Sequence, residues 1–245
     1  LDLIIAMSNN IAHSLIKAGI AKKKIVIIPN GIDIKKYHPN NSGVGIRKRL
    51  NLLKSNSVIL FVGNLMISKG LNVLIEAISQ VINETPKCKL IMVLELKHKN
   101  FNKRKKELYN RINALGISEN VIELGMINYM PELMAAIDVV VVPYIDTQGP
   151  SDYPLILMEA MSAGKRVIGT NTGGIPELIK NNKNGVLVPP DNKHELANAI
   201  INIITSNDLR KKYEKSARDF IIKNYSLDII KKKHQNIYGK IIKSK

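Results

Sequence analysis

The stretch SVILFVGNLMISKGLNVLIEAISQVINE (residues 57–84) contains a strand, a turn and a helix, and its pattern indicates the fold of the whole chain. It begins with a nearly continuous apolar run, which is typical of a strand buried on both faces of a parallel sheet. After the turn, apolar residues recur at spacings of three and four, the period of a helix with one buried face. These residues are Leu71, Leu74, Ile75, Ile78 and Ile82.

The same alternation of apolar run and helical segment continues along the chain. It predicts an α/β fold, in which a doubly wound parallel sheet carries helices on both faces. After Asp191 the pattern becomes wholly helical, which predicts an all-helical C-terminal tail. The predicted strands are LIIAM (3–7), KIVIIP (24–29), SVILFVG (57–63), KLIMVLEL (89–96), NVIELG (120–125), DVVVVPY (138–144), RVIGT (166–170) and GVLVPP (185–190).

The chain is strongly basic, with 37 Lys and Arg against 20 Asp and Glu and a formal charge of +17. This balance favours anionic partners such as nucleotides, phospholipid head groups or nucleic acid, and a compositional bias of the source is the alternative explanation. One dense basic block, KHKNFNKRKK (97–106), is either a solvated loop before a helix or a membrane or nucleic-acid patch. Aromatic residues make up 4% of the chain and form no stacking motif among the basic residues, so we expect no nucleic-acid partner.

Apolar composition and length predict a soluble protein with a substantial core, because 45% of the 245 residues are hydrophobic. No segment approaches the roughly 18 apolar residues of a membrane span, and LDLIIAMSNN (1–10) lacks the features of a secretory signal. We therefore expect a cytoplasmic location. Cys88 is the one cysteine, so no internal disulfide can form, and we expect it to pack in the core or at a strand edge.

The turn after the strand at residues 57–63 has the features of an anion site. Gly63 ends the strand, and Lys69 and Gly70 come directly before the helix. In open α/β sheets, ligands bind at the carboxyl ends of strands, where helix N-termini present free N–H groups to phosphate. The alternative interpretation is a surface lysine beside an ordinary turn.

A second candidate is Glu159, which lies in the segment PSDYPLILMEAMSAG (150–164) among apolar residues. Burying an unpaired carboxylate costs several kcal/mol, so the side chain needs a partner. That partner is a cation, a backbone donor or the hydroxyl groups of a ligand; an internal ion pair or a hydrogen bond to a neighbouring loop is the structural alternative.

Four segments, in this order, resemble the retaining glycosyltransferases of family 4, the glycosyl transferases group 1. They are IIPNGIDIKKYHP (27–39), FVGNLMISKGLNVLIEAI (61–78), SDYPLILMEAMSAGKRVIGTN (151–171) and TGGIPELIKNNKNGVLVPPDN (172–192). The resemblance implies a GT-B enzyme of hexosyltransferase type, with two Rossmann-like domains, of which this chain carries the C-terminal, donor-binding one.

The resemblance also implies the domain organisation. Residues 1–28 would be a remnant of the N-terminal acceptor domain, 29–43 the inter-domain linker, 44–205 the Rossmann-like nucleotide-sugar-binding domain and 206–245 the C-terminal helices. The expected partners are a nucleoside-diphosphate sugar and an acceptor-binding N-terminal domain, in cis or in trans. Neither a cofactor nor a metal is expected.

By position, Lys69 resembles the lysine that binds the donor diphosphate, and Glu159 resembles the second glutamate of the E-x7-E motif, which holds the ribose hydroxyls. The turn near Ile127 and Met130 would flank the base. Gly63 and the loop from Gly149 to Leu155 complete the implied donor site; the loop residues are Ser151, Asp152, Tyr153, Pro154 and Leu155.

The chain departs from the family pattern in three places. Asn64 stands where the family has an arginine that shares the diphosphate with the lysine, and we expect its amide to serve as a catalytic hydrogen-bond donor beside Lys69. Ser151, followed by Asp152, stands at the first glutamate of E-x7-E, and LELKHKN (94–100) replaces a Gly-x-Gly turn. These changes leave two interpretations open, an active transferase and a non-catalytic nucleotide-sugar-binding subunit.

The last segment has an apolar stripe of Ile230, Ile237, Ile241 and Ile242 beside Lys231, Lys232 and Lys233. In the family the last helix crosses back onto the N-terminal domain. Packing against its own sheet and peripheral contact with a membrane are the alternatives.

Overall fold

The computed structural model describes residues 3–95, 100–146 and 153–243, and a parallel sheet forms its centre. The strands are β1 (Ile4–Ala6), β2 (Ile25–Ile27), β3 (Ser57–Gly63), β4 (Cys88–Leu94), β5 (Val121–Leu124), β6 (Val139–Val142), β7 (Arg166–Thr170) and β8 (Val186–Val188). Each of the eight predicted strands is thereby confirmed.

Helices connect the strands and form the C-terminal tail. They are α1 (Asn9–Lys17), α2 (Val44–Arg49), α3 (Leu71–Glu84), α4 (Phe101–Ala114), α5 (Met130–Ala136), α6 (Leu155–Ser162), α7 (Ile175–Leu178), α8 (Lys193–Thr205), α9 (Asn207–Tyr225) and α10 (Leu227–Lys243). The predicted helical tail is confirmed.

The main sheet has the strand order β5-β4-β3-β6-β7-β8, and every neighbouring pair is parallel. The chain runs outward from β3 to β5, returns to β6 beside β3, and then runs outward in the other direction. The fold is therefore the predicted Rossmann-like, doubly wound sheet, and its winding reverses between β3 and β6.

Two apolar cores lie on opposite faces of this sheet. One contains buried residues of α5, α6 and α9, and the other contains buried residues of α3, α4 and α8. Cys88, the first residue of β4, is buried in the second core, as expected.

The segment before the main sheet consists of β1, α1 and β2, with β1 and β2 paired in parallel. Ser8 is the N-cap of α1, and its hydroxyl accepts a hydrogen bond of 3.0 Å from the Ile11 N–H. The following residues 29–43 contain neither helix nor strand. They are held at Ile32, whose N–H donates to the Tyr225 carbonyl at 2.8 Å and whose carbonyl accepts from the Leu227 N–H at 3.1 Å.

The predicted apolar stripe of α10 is only partly covered. Ile230 is buried, whereas Ile242 at the other end of the helix is 74% exposed. Within the described ranges, no helix has the length and apolarity needed to cross a membrane.

Candidate functional site

Two loops meet where the winding of the sheet reverses. The short 3₁₀ turn Ile67–Lys69 follows β3, and the Ser68 carbonyl accepts a hydrogen bond of 2.8 Å from Ile145, just after β6. Gly70 has a φ of 68°, and a β-carbon there would overlap the carbonyl oxygen of Pro143. A glycine is therefore required before α3, and the close approach holds the β3 and β6 loops together.

Lys69 is almost fully buried between these loops. Its side chain is 5% exposed, and Nζ lies 3.8 Å from the ring centroid of Tyr144, within the range of a cation–π contact. Burial lowers the pKa of Lys69, and the charge of Asp146 opposes that shift. The ammonium group is thus poorly solvated and held in a fixed place, so an anionic ligand would stabilise its charged form.

The Tyr144 backbone is itself fixed to the next strand. Its carbonyl accepts a hydrogen bond of 2.6 Å from the Thr170 hydroxyl at the end of β7. The backbone at Tyr144 and Ile145 is therefore hydrogen-bonded to the end of β7 and to the turn after β3, which fixes the position of the ring beneath Lys69.

Asn64 shapes the turn that carries Lys69. It is 5% exposed, and its side-chain oxygen accepts a hydrogen bond of 3.0 Å from the Met66 N–H. This local bond turns the chain directly after Gly63, the last residue of β3. From the sequence we expected the Asn64 side chain to donate a hydrogen bond. In the structure its oxygen accepts one, from the Met66 N–H.

Ser68 adds a polar group to the same turn. Its hydroxyl oxygen is buried and has no hydrogen-bond partner among the residues that the structure describes.

Glu159 lies in α6, most of whose side chains are buried in the core. Burial raises the pKa of Glu159, while its interaction with the Tyr37 hydroxyl, from the segment before α2, and the charge of Lys36 lower it.

The turn predicted to flank the base leads into α5. Ile127 precedes α5 and Met130 is its first residue, and both are partly buried against the same core as α6. An open cleft of about 520 Å³ beside them is lined by Lys36 and Asn128. The turn and the linker therefore adjoin one another at this cleft.

The loop before α6 is described only from Tyr153 onward. Tyr153 is buried, and its hydroxyl forms a hydrogen bond of 2.7 Å with the Tyr225 hydroxyl at the end of α9. Pro154 occupies the N-cap position of α6, and Leu155, its first helical residue, is exposed. Ser151 and Asp152, predicted to contact the donor, lie outside the described residues, as do residues 147–150.

Lys69 follows the carboxyl end of β3, and the helix that carries Glu159 follows the neighbouring β6. Sequence reasoning missed Tyr37 and Tyr144. The one available signal was their position, since Tyr144 directly follows a strand and Tyr37 is an aromatic residue in a polar linker.

The chain matches the family model described as glycosyl transferases group 1 over residues 45–220. An uncharacterized glycosyltransferase of Methanocaldococcus jannaschii is 28% identical over 220 residues, which cover 88% of this chain and 54% of that protein. The UDP-Gal:alpha-D-GlcNAc-diphosphoundecaprenol alpha-1,3-galactosyltransferase of Escherichia coli is 28% identical over 83% of this chain and 51% of its own length. The chain therefore spans about half the length of these curated relatives.

Solved structures give the same result. The crystal structure of Anabaena Alr3699/HepE in complex with UDP and glucose superposes with a TM-score of 0.88 at 28% identity, over 97% of this chain and 63% of that one. Together with the family match, this likeness identifies the chain as a member of the glycosyl transferases group 1 family.

Proposed function

We propose that this chain is the donor-binding part of a retaining glycosyltransferase, which transfers a sugar from a nucleoside-diphosphate sugar to a carbohydrate or lipid-linked acceptor. The observation that carries the proposal is the poorly solvated Lys69 ammonium group, held over Tyr144 where the sheet reverses. The bound UDP and glucose of the Anabaena relative support a nucleotide-sugar donor.

Lys69 would stabilise the negative charge that develops on the departing diphosphate. Such a charge-assisted contact strengthens as the sugar–phosphate bond breaks, so it lowers the barrier rather than only the dissociation constant. The free N–H groups at the start of α3 would add to this stabilisation, because a helix N-terminus favours anions. The acceptor would attack the sugar on the same face from which the diphosphate departs, and the departing diphosphate would help to remove the acceptor's proton. We propose no metal for this mechanism.

Glu159 would bind the ribose. An ionised carboxylate has about four acceptor sites, so it can accept hydrogen bonds from two adjacent hydroxyl groups. The turn at Ile127 and Met130 would contact the base, next to the cleft at Lys36 and Asn128.

The acceptor would be bound by a domain not represented in the described residues, supplied in cis or in trans. Apolar side chains on β1 and β2 support an interface with such a domain, since Ile5 and Ile27 are exposed. Helix α10 exposes Lys231 near its start and Ile242 near its end, and both are compatible with peripheral contact at a membrane that carries the acceptor. We propose a cytoplasmic location, at or near that membrane.

A non-catalytic nucleotide-sugar-binding subunit is the second candidate. The observation that favours it is Asn64, whose side-chain oxygen faces the Met66 N–H at a position where the family has a cation. Losing one charge-assisted contact costs about 1.5–3 kcal/mol, which could be enough to suppress turnover without abolishing donor binding.

Calorimetric titration with UDP-sugars and GDP-sugars tests donor binding. We expect saturable binding that Lys69→Met weakens roughly 10- to 100-fold, in line with the loss of a charge-assisted bond. Lys54→Met is the matched control, because Lys54 is an exposed lysine just before the amino end of β3. Steeply salt-dependent binding to DNA without any response to nucleotides would overturn the proposal.

A second experiment separates the two candidates. The acceptor-binding domain is supplied in cis or in trans, and release of nucleoside diphosphate is followed with and without acceptor. Transfer that depends on Lys69 supports the enzyme, whereas donor binding without transfer supports the non-catalytic subunit.

A further inference from the structure

The basic block of residues 97–106 supplies a cation to the segment of residues 64–70, which joins β3 to α3. Arg104, the fourth residue of α4, donates a hydrogen bond of 3.0 Å from Nη1 to the Leu65 carbonyl. Leu65 is 9% exposed, so its carbonyl needs a partner within the protein. The segment itself contains one cationic side chain, Lys69. Arg104 therefore brings a second positive charge to the backbone that carries Lys69.

Each of the four carbonyls of residues 65–68 accepts a hydrogen bond. The middle two accept from the N–H groups three residues further on, at 3.0 Å and 2.9 Å, which closes the 3₁₀ turn. The outer two accept from other parts of the chain, Leu65 from Arg104 and Ser68 from the Ile145 N–H. Since these oxygens are the negative ends of the peptide dipoles, engaging them keeps them from opposing an anion beside the turn.

Helix α4 is a firm support for Arg104. The Lys105 ammonium group donates a hydrogen bond of 2.6 Å to the Glu123 carboxylate in β5. On α3, Glu76 accepts a hydrogen bond from the Arg111 guanidinium of α4. The helix is thus connected both to the sheet and to α3, which begins directly after the segment that Arg104 contacts. A group held on fixed elements positions its partner more accurately than one on a loop.

A small cavity of about 160 Å³ lies where α4 faces the start of α3. Its lining includes Arg104 and Leu65, together with the first two residues of α3, Leu71 and Asn72. Free N–H groups at a helix start favour anions, and the proposed function assigns the diphosphate to this helix end. Arg104 therefore borders the same helix end that would receive the diphosphate.

We propose that Arg104 is a positioning residue for the donor diphosphate: its guanidinium holds the Leu65 carbonyl and thereby fixes the turn in the conformation that presents Lys69 to the anion. The proposal rests on the proposed function, because it presupposes that a nucleoside diphosphate occupies the site. Without Arg104 the Leu65 carbonyl would lose its donor. The turn would then have to be ordered when the ligand binds, at an entropic cost.

The test is a double-mutant cycle on the whole chain. UDP and GDP are titrated calorimetrically into the wild type, Arg104→Met, Lys69→Met and the double variant. We expect Arg104→Met alone to weaken binding roughly 5- to 20-fold, in line with the loss of one charge-assisted hydrogen bond. In the Lys69→Met background the same change should weaken binding less than about 2-fold, because the positioning acts through Lys69.

Two further variants serve as controls. Lys103→Met removes the same charge from an exposed position on the same helix, so affinity should stay within about 2-fold of the wild type. Arg104→Lys keeps a charged donor for the Leu65 carbonyl, and its affinity should recover to within about 3-fold of the wild type. Urea unfolding of each variant verifies that the domain remains folded.

The outcomes distinguish the inference from the proposed function. The inference is overturned, and the proposed function stands, if Arg104→Met binds as tightly as the wild type or loses no more affinity than Lys103→Met. Equal losses in the two Lys69 backgrounds, or an Arg104→Lys variant as weak as Arg104→Met, would overturn it as well. A wild type that binds neither UDP nor GDP nor any of their sugars overturns the proposed function and the inference with it.

Discussion

Glu177 accepts hydrogen bonds from both the main chain and the side chain of Asn9, at 3.1 Å and 2.7 Å. The Asn10 N–H donates to the other carboxylate oxygen at 3.2 Å. Glu177 belongs to α7, whereas Asn9 and Asn10 are the first residues of α1. The carboxylate thus caps a helix of the N-terminal segment, where it satisfies free N–H groups and complements the helix dipole.

We predict that Glu177→Ala loosens α1 without disturbing the main sheet. Hydrogen bonds to a charged group contribute about 1.5–3 kcal/mol, so amide exchange in residues 9–17 should accelerate at least roughly 10-fold. Hydrogen–deuterium exchange with peptide resolution measures this. Glu195→Ala, an exposed glutamate in the first turn of α8, is the control. Unchanged exchange in α1 would refute the capping role.

The Lys69–Tyr144 contact predicts a graded response to substitution of the ring. Tyr144→Phe retains an aromatic face and should keep UDP affinity within about 2-fold, whereas Tyr144→Leu should weaken it roughly 3- to 10-fold, the range of a partly desolvated cation–π contact. Titration of both variants with UDP measures the difference. Equal affinities for the two variants would show that the ring does not support Lys69.

Lys69 also predicts a pH dependence. Its pKa is lowered by burial, so the ammonium group loses its proton below the usual pKa of lysine, 10.5. UDP affinity should accordingly fall in the alkaline range before an exposed lysine would titrate. Titrations between pH 7 and pH 10 test this, with Lys69→Met as the reference that lacks the transition. An affinity that is constant in the wild type over that range would contradict the prediction.

Substitutions at Asn64 should affect both the turn and anion binding. Asn64→Asp keeps an acceptor for the Met66 N–H, but it places a carboxylate at a position that is 5% exposed, so the free energy of unfolding should fall by about 1–3 kcal/mol. Its negative charge beside the diphosphate should also weaken UDP binding, roughly 10-fold or more. Asn64→Ala should lose about 1 kcal/mol of stability, as for a lost turn bond. Urea unfolding and calorimetry on the same samples provide the comparison, and a stable Asn64→Ala would contradict it.

The sheet was predictable because each strand is encoded locally. Runs such as VVVV in β6 are apolar at every position, and burial on both faces requires no knowledge of distant residues. The turn at Lys69 was found for the same reason, since Gly63, Lys69 and Gly70 are close together in sequence.

The position of Tyr37 could not be predicted in this way. Tyr37 lies in a segment without apolar period, and its carbonyl accepts bonds from Ser162 and Arg218 only because the linker folds back between α6 and α9. The cap that Glu177 provides for α1 is a similar case, as its bonds to Asn9 span 168 residues. Contacts of this kind depend on the tertiary structure, and no local pattern announces them.

Because the pKa of Glu159 is raised, we predict that the uncharged variant Glu159→Gln is more stable than the wild type at neutral pH. The folded state binds this proton more tightly than the unfolded chain, whose pKa is near 4.5. The stabilisation from this group is therefore complete below pH 4.5, and it is lost as the pH rises through the folded pKa. Each unit by which the pKa is raised corresponds to about 1.4 kcal/mol.

Glu159→Gln removes this titration while keeping the shape of the side chain. Its free energy of unfolding in urea should match the wild type near pH 4 and exceed it at pH 8, although its nucleotide affinity falls. The exposed Glu84→Gln serves as control and should show no such divergence. If the free energies of unfolding of wild type and Glu159→Gln depend identically on pH, burial imposes no cost on the ionised carboxylate. Hydrogen bonds from a ligand's hydroxyl groups would then not be needed to explain a glutamate at this position.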